Sequence, residues 1–184
     1  MAYRFNLAKT IEAVGILLRE APGECMTRIR LLKLLYIADR EYLRRTGRPI
    51  TGDRVAAMEH GPVLSNVYDC IKGECWELAA WEKFFVSEGI VVRMKEHPGV
   101  GELSRLEMDT LLTVSRDRTD KDEWEIVEET HRFPEWVRND PGTSSRPIPF
   151  EDILEAVGRG AQAETILREA EAGADLARLL ESEE

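Results

Sequence analysis

Apolar residues recur every three or four positions over most of the chain, and after Thr27 they occupy more than one side of the predicted helix. Leu31, Leu35, Ala38 and Tyr42 form one stripe, Leu32, Tyr36 and Leu43 form its neighbour, and Ile37 widens the surface further. A helix apolar over more than half its circumference packs on several sides. The pattern therefore predicts a buried central helix over about residues 28–46. Thr27 suits its N-cap, with Met26 and Leu31 spaced as a hydrophobic staple, and Gly47-Arg48-Pro49 stops it.

The remaining elements arrange themselves around that helix. Leu7, Ile11, Val14, Ile16, Leu17 and Leu18 predict a first helix over 6–20, ended by Pro22-Gly23. Residues 50–58 read as extended. Pro62 opens a third predicted helix carrying Val63, Val67, Tyr68 and Ile71, closed by Gly73, and 76–85 read as short helical turns with aromatic anchors. Strand character is strongest in Gly89-Ile90-Val91-Val92-Arg93-Met94. That segment is expected to pair with 54–59 or 100–103, because a lone strand leaves its backbone groups unsatisfied.

Farther on, Ser104 and Glu107 form a capping box with Leu103 and Met108 as its staple, and Asp120 with Glu123 repeats the signal for a helix ending near Thr130-His131. Phe133-Pro134-Glu135-Trp136 reads as a short aromatic segment, 139–147 as a loop, and 149–157 as a last helix closed by Gly158. The expected fold is mainly α (α+β): a compact multi-helix domain with a small two- or three-stranded β element from about 54–59, 89–95 and 100–103. Residues 1–157 are expected to form the domain and 158–184 an acidic helical appendage. The appendage has a thin apolar face (Ile166, Leu167, Leu176, Leu179, Leu180) interrupted by Gly173, so it is expected to dock weakly, bind a partner or fray.

Composition adds limits. At 184 residues, 43% hydrophobic and 33% charged, the chain reads as one soluble domain, with no apolar run approaching the roughly 20 residues of a membrane span. The start at Met1-Ala2 leads into an amphipathic helix and shows no signal peptide. Three cysteines, Cys25, Cys70 and Cys75, cannot all pair and match no disulfide framework, which points to a reducing cytoplasm. The net charge of −10 disfavours nucleic acid as the main partner, since phosphate neutralisation dominates that affinity. Basic residues nonetheless crowd one stretch. Arg40, Arg44, Arg45, Arg48 and Arg54 become candidate contacts for an acidic protein partner.

Candidate chemistry is sparse. His60, His97 and His131 offer no i, i+4 pair, no Cys-x-x-Cys exists, and Cys70 and Cys75 stand five apart across Gly73, so neither a metal nor a cofactor is expected. There is no Gly-x-Ser-x-Gly elbow and no phosphate-cradling glycine loop. His60 is expected to hold the Gly61-Pro62 turn through its ring, and His131 to sit as an imidazolium at a helix C-terminus. A hydrolase using either histidine is the enzymatic alternative. Lys33, Tyr36 and Asp39, at i, i+3 and i+6, form a polar edge on the central helix, read either as packing or as a partner surface.

These residues carry a resemblance. Leu32-Lys33-Leu34-Leu35-Tyr36-Ile37-Ala38-Asp39 with Gly47-Arg48-Pro49-Ile50, then Met58-Glu59-His60-Gly61-Pro62-Val63 with Val67-Tyr68, then Glu129-Thr130-His131, Pro134-Glu135-Trp136 and Ile148-Pro149 resemble the Panacea domain of SocA-like antitoxins in bacterial toxin–antitoxin systems. The likeness extends over about 6–157. Glu59-His60 departs from it, since the family often has an aromatic or other residue beside the Gly-Pro. The resemblance implies a non-enzymatic, mainly helical cytoplasmic protein that neutralises a cognate toxin by direct binding, with some members acting as adaptors to a Clp-type protease. It marks Lys33, Tyr36, Asp39, Gly47, Pro49, His60, Gly61, Pro62, Val63, Tyr68, His131 and Trp136 as structural or partner-binding positions. A homo-oligomer is compatible with it. A DNA-binding regulator of its own operon, with helices and a 90–103 hairpin mimicking a winged helix, is the alternative.

Overall fold

The central helix, α2, runs Arg28–Thr46, and every layer of the molecule is built against it. The computed structural model describes the backbone of residues 3–181 and side chains as far as Asp175. Leu31, Leu34, Leu35 and Ala38 of α2 are wholly inaccessible to water. Thr27 caps the helix by accepting from the Arg30 N–H at 3.3 Å, and Met26 and Leu31 are both buried in one cluster. Gly47 ends it at φ +79°, a left-handed conformation that costs glycine little.

Helices α1 (Leu7–Arg19), α5 (Arg105–Arg116) and α6 (Glu123–His131) pack on α2. Two small antiparallel sheets complete the frame. One has the order β1 (Cys25–Thr27), β5 (Val91–Met94), β4 (Phe85–Glu88); the other has β3 (Gly61–Leu64), β2 (Val55–Met58), β6 (Arg146–Pro147). The fold is thus mainly helical with a minor β part, as the apolar pattern predicts. Short helices α3 (Ser65–Lys72), α4 (Leu78–Phe84), α7 (Pro134–Arg138) and α8 (Phe150–Ala156) and the longer α9 (Ala163–Glu181) fill the exterior.

The β pairing differs from expectation. Val91–Met94 pairs with Phe85–Glu88 and Cys25–Thr27, not with 54–59 or 100–103. Residues 100–103 form no strand because their backbone is satisfied by the buried carboxylate of Glu12. It accepts from the N–H of Glu102 at 2.8 Å and of Leu103 at 3.2 Å. Pro62 lies in a strand opposite Ala57 rather than at a helix start. The third helix begins only at Ser65, where Asp53 accepts from the N–H of Asn66 at 3.1 Å and of Val67 at 3.0 Å and serves as a distant N-cap. Helix α4 falls within the 76–85 stretch expected to form helical turns, and Phe85–Glu88 continue from it as a hairpin strand. Of the aromatic anchors there, Trp81 and Phe85 are buried while Trp76 is fully exposed.

Smaller corrections have equally local causes. The capping box on α6 uses Asp122 and Glu125, two residues beyond Asp120 and Glu123, whereas Ser104 and Glu107 cap α5 as expected. Cys70 and Cys75 are bonded as a disulfide and Cys25 is free. The left-handed Gly73 turns the chain so that the two paired Cα atoms stand 4.6 Å apart, within reach of a bridge. Among the described residues no helix is long and apolar enough to cross a membrane.

A second apolar cluster covers the end of α2. Leu43, Ala57, Ile148, Ile153, Leu154, Val157 and Ile166 pack together. Arg159 donates to the carbonyls of Arg44 and Arg45, each at 2.8 Å, closing the helix end with a side chain from far along the sequence. The appendage is therefore docked through Arg159, Ile166 and the buried Ala170. The side chains of Leu176, Leu179 and Leu180, and residues Met1, Ala2 and 182–184, lie outside the described residues.

Candidate functional site

Lys33, Tyr36 and Asp39 all lie within the protein, and each reaches a different segment. Asp39 accepts from the Ile50 N–H at 2.7 Å, the Thr51 N–H at 2.9 Å and the Thr51 hydroxyl at 2.6 Å. It thereby folds the loop through Gly47 and Pro49 back onto α2. Burial pushes its carboxyl up to about 6, while the hydrogen bonds from Thr51 and Ile50 pull the other way. Tyr36 donates to Glu135 Oε1 at 2.7 Å. Burial, and then the Glu135 carboxylate, raise its phenol well above the usual value. Lys33, only 1% exposed, donates to the Pro62 carbonyl at 2.8 Å, and burial pushes its amine down to about 7.

The β2–β3 turn receives the Lys33 link. Gly61 has φ +93°, and a Cβ there would lie 2.6 Å from Thr130 Oγ1, 3.1 Å from Lys33 Nζ and 3.3 Å from His131 Cδ2. Only a glycine lets the hairpin approach α2 and α6 this closely. Trp136 donates its indole N–H to the Met58 carbonyl at 3.2 Å and stacks on His131 with centroids 4.1 Å apart. Val63 is buried under the same turn.

Two histidine expectations are corrected. His131 is not an imidazolium completing a helix dipole: burial, then the neighbouring Lys33 charge, lower its pKa, against a hydrogen bond with the Glu59 backbone. Its Nε2 is buried and unpartnered. His60 does not hold the turn through its ring, which lies on the surface edge-on to Trp124 at 5.5 Å. Lys33 and Trp136 provide the bonds instead. Tyr68, half-buried, carries the Lys72 ammonium over its ring at 5.4 Å.

The five arginines divide into two groups. Arg40 pairs with the fully buried Glu135 at 2.7 Å and lies 4.2 Å over the Phe133 ring, and Arg45 donates to Thr110 Oγ1 at 3.2 Å. Arg44 and Arg48 are exposed, with Glu41 at 2.9 Å and Glu169 at 3.9 Å as their respective partners. Arg54 is exposed and donates to Asn66 at 3.5 Å.

Periodicity left Glu135, Asp53 and Arg159 unmarked as key residues. Each bonds across a long sequence distance, so the only available signal was the Pro-Glu-Trp triplet that contains Glu135. Among the described residues no group of three or more His, Cys, Asp or Glu side chains could hold a metal.

Fold and site together define a mainly helical scaffold, braced at its centre by buried polar links between α2, a β-hairpin and the α6–α7 corner. Residues 31–137 match the family described as antitoxin SocA-like, Panacea domain, and the chain belongs to that family. Neither the curated proteins nor the solved structures contain a match to it. The matched segment starts and stops inside the 6–157 range of the sequence resemblance. It includes Lys33, Tyr36, Asp39, the Gly61 turn, His131, Glu135 and Trp136. Membership supports an antitoxin role, with a toxin as partner in general.

Proposed function

We propose that this protein is an antitoxin that neutralises a cognate toxin, encoded beside it, by direct protein–protein binding. The observation that carries the reading is the family match over residues 31–137. The inward placement of the motif residues supports it. Tyr36, Asp39, Gly61 and Trp136 are spent on bracing the scaffold, which leaves the exterior to a partner. In this reading the protein works as a cytoplasmic binder, not a catalyst, and it either blocks the toxin or hands it to a Clp-type protease. Both routes begin with the same complex.

The test is genetic and then biochemical. Expression of the adjacent gene alone should arrest growth, co-expression should restore it, and the two products should co-purify. Normal growth with the neighbouring gene alone, or restored growth without a complex, would overturn direct neutralisation. If the toxin disappears on co-expression and persists when the protease is deleted, the delivery route applies.

A further inference from the structure

Resting on that reading, we propose that the cleft between the start of α2 and the β2–β3 hairpin is the toxin-docking surface, and that it receives an acidic side chain flanked by apolar ones. The cleft has a volume of about 260 Å³, with Ile29, Leu32, Met58 and Val63 among its apolar walls and Lys33, Arg28, His60 and Tyr68 among its polar or aromatic ones.

Charge complementarity selects the occupant. Lys33 places an amine in the lining, buried and bonded to a single carbonyl, and an incoming carboxylate at that point would favour its protonated form. Arg28, at the rim, makes no ion pair among the described residues. Glu59 is the only acid on the lining.

The surroundings fit a protein partner. Trp124, 51% exposed, stands against His60. Ile90, 60% exposed, belongs to the hairpin turn whose carbonyl accepts from the Arg28 N–H at 2.7 Å. Tryptophan, tyrosine and arginine around an apolar depression are the residue types that dominate binding energy at protein interfaces. The arginine-rich stretch is a weaker candidate, since Arg40, Arg44, Arg45 and Arg48 already have partners within the chain.

Calorimetric titration of the full chain with the purified adjacent-gene product tests the assignment. Trp124→Ala and Arg28→Glu should each weaken binding by about 30-fold or more, the scale of an interface hot spot. Arg44→Ala and Arg48→Ala should change it by less than about threefold, the scale of rim charges. Added salt should weaken the wild-type complex more than the Arg28→Ala complex, because that charge contributes to the contact. Circular dichroism and thermal melting establish that each variant is folded, Trp124 being exposed and Arg28 half-buried. If Trp124→Ala and Arg28→Glu bind like the wild type, the docking surface is overturned while direct neutralisation stands. If the wild type itself does not bind the toxin, the antitoxin reading falls, and this one with it. Self-association of the chain that Trp124→Ala abolishes would give the cleft to a second copy and overturn the proposal.

Discussion

The hydroxyl of Tyr36 donates to the carboxylate of Glu135 at 2.7 Å, with both side chains closed off from water. The same oxygen accepts from Arg40 Nε at 2.7 Å. This buried triad pins the α6–α7 corner to the middle of α2. Glu135→Ala strands a phenol and a largely buried guanidinium, and should destabilise the fold by about 3–5 kcal/mol in urea denaturation. A loss below about 1 kcal/mol would mean that water or a neighbour replaces the carboxylate.

Gly61 and Gly73 form an internal control, since both have positive φ but only Gly61 is crowded. Gly73→Ala should cost about 1 kcal/mol, the backbone component alone. Gly61→Ala adds a methyl group 2.6 Å from Thr130 Oγ1 and should cost at least about 2 kcal/mol. Equal losses would show that the hairpin can move away from α2 freely.

Lys33 makes stability depend on pH in a defined direction. Its amine titrates at about 7 when folded, against 10.5 as the ordinary value. Between those values the unfolded chain binds a proton that the folded chain has released, so stability rises with pH across that window. Asp39 acts in a lower window. Folded at about 6 against 3.8, it holds a proton that the unfolded chain has lost, and stability falls as pH rises from about 4 to 6. Lys33→Met should flatten the upper slope and leave the lower one, as read from urea midpoints at a series of pH values.

Leu35 has no accessible surface at the centre of α2. Leu35→Ala should therefore destabilise by about 2–5 kcal/mol, the range for large-to-small changes in a core. A change under about half a kcal/mol would place α2 outside the core.

Much of the helical frame was legible because its signals are local. The stripes of α2, the Thr27 cap and the Ser104–Glu107 box act within a few residues of where they stand. What misled were the places where a distant side chain satisfies the backbone. Glu12 occupies the N–H groups of 102 and 103 and removes a strand. Asp53 caps α3 and delays its start, which leaves Pro62 in a hairpin. The candidate site was half legible on the same grounds. Lys33, Tyr36 and Asp39 were visible as a polar set, but no spacing reveals that their partners are Pro62, Glu135 and Thr51. His60 and His131 both depart from their expected roles because burial is a property of the fold, not of the residue type.

Arg159 lies well past residue 137, where the recognised family segment stops, yet it binds the carbonyls that end α2. Strand β6 and the apolar residues 148–157 also come after that limit, and they cover Leu43 and Ala57. The unit that evolution makes recognisable is therefore shorter than the unit that must fold. A chain trimmed to the recognisable segment would expose the oily end of its own central rod and open an unpaired sheet edge, so it would tend to clump before it could meet any partner.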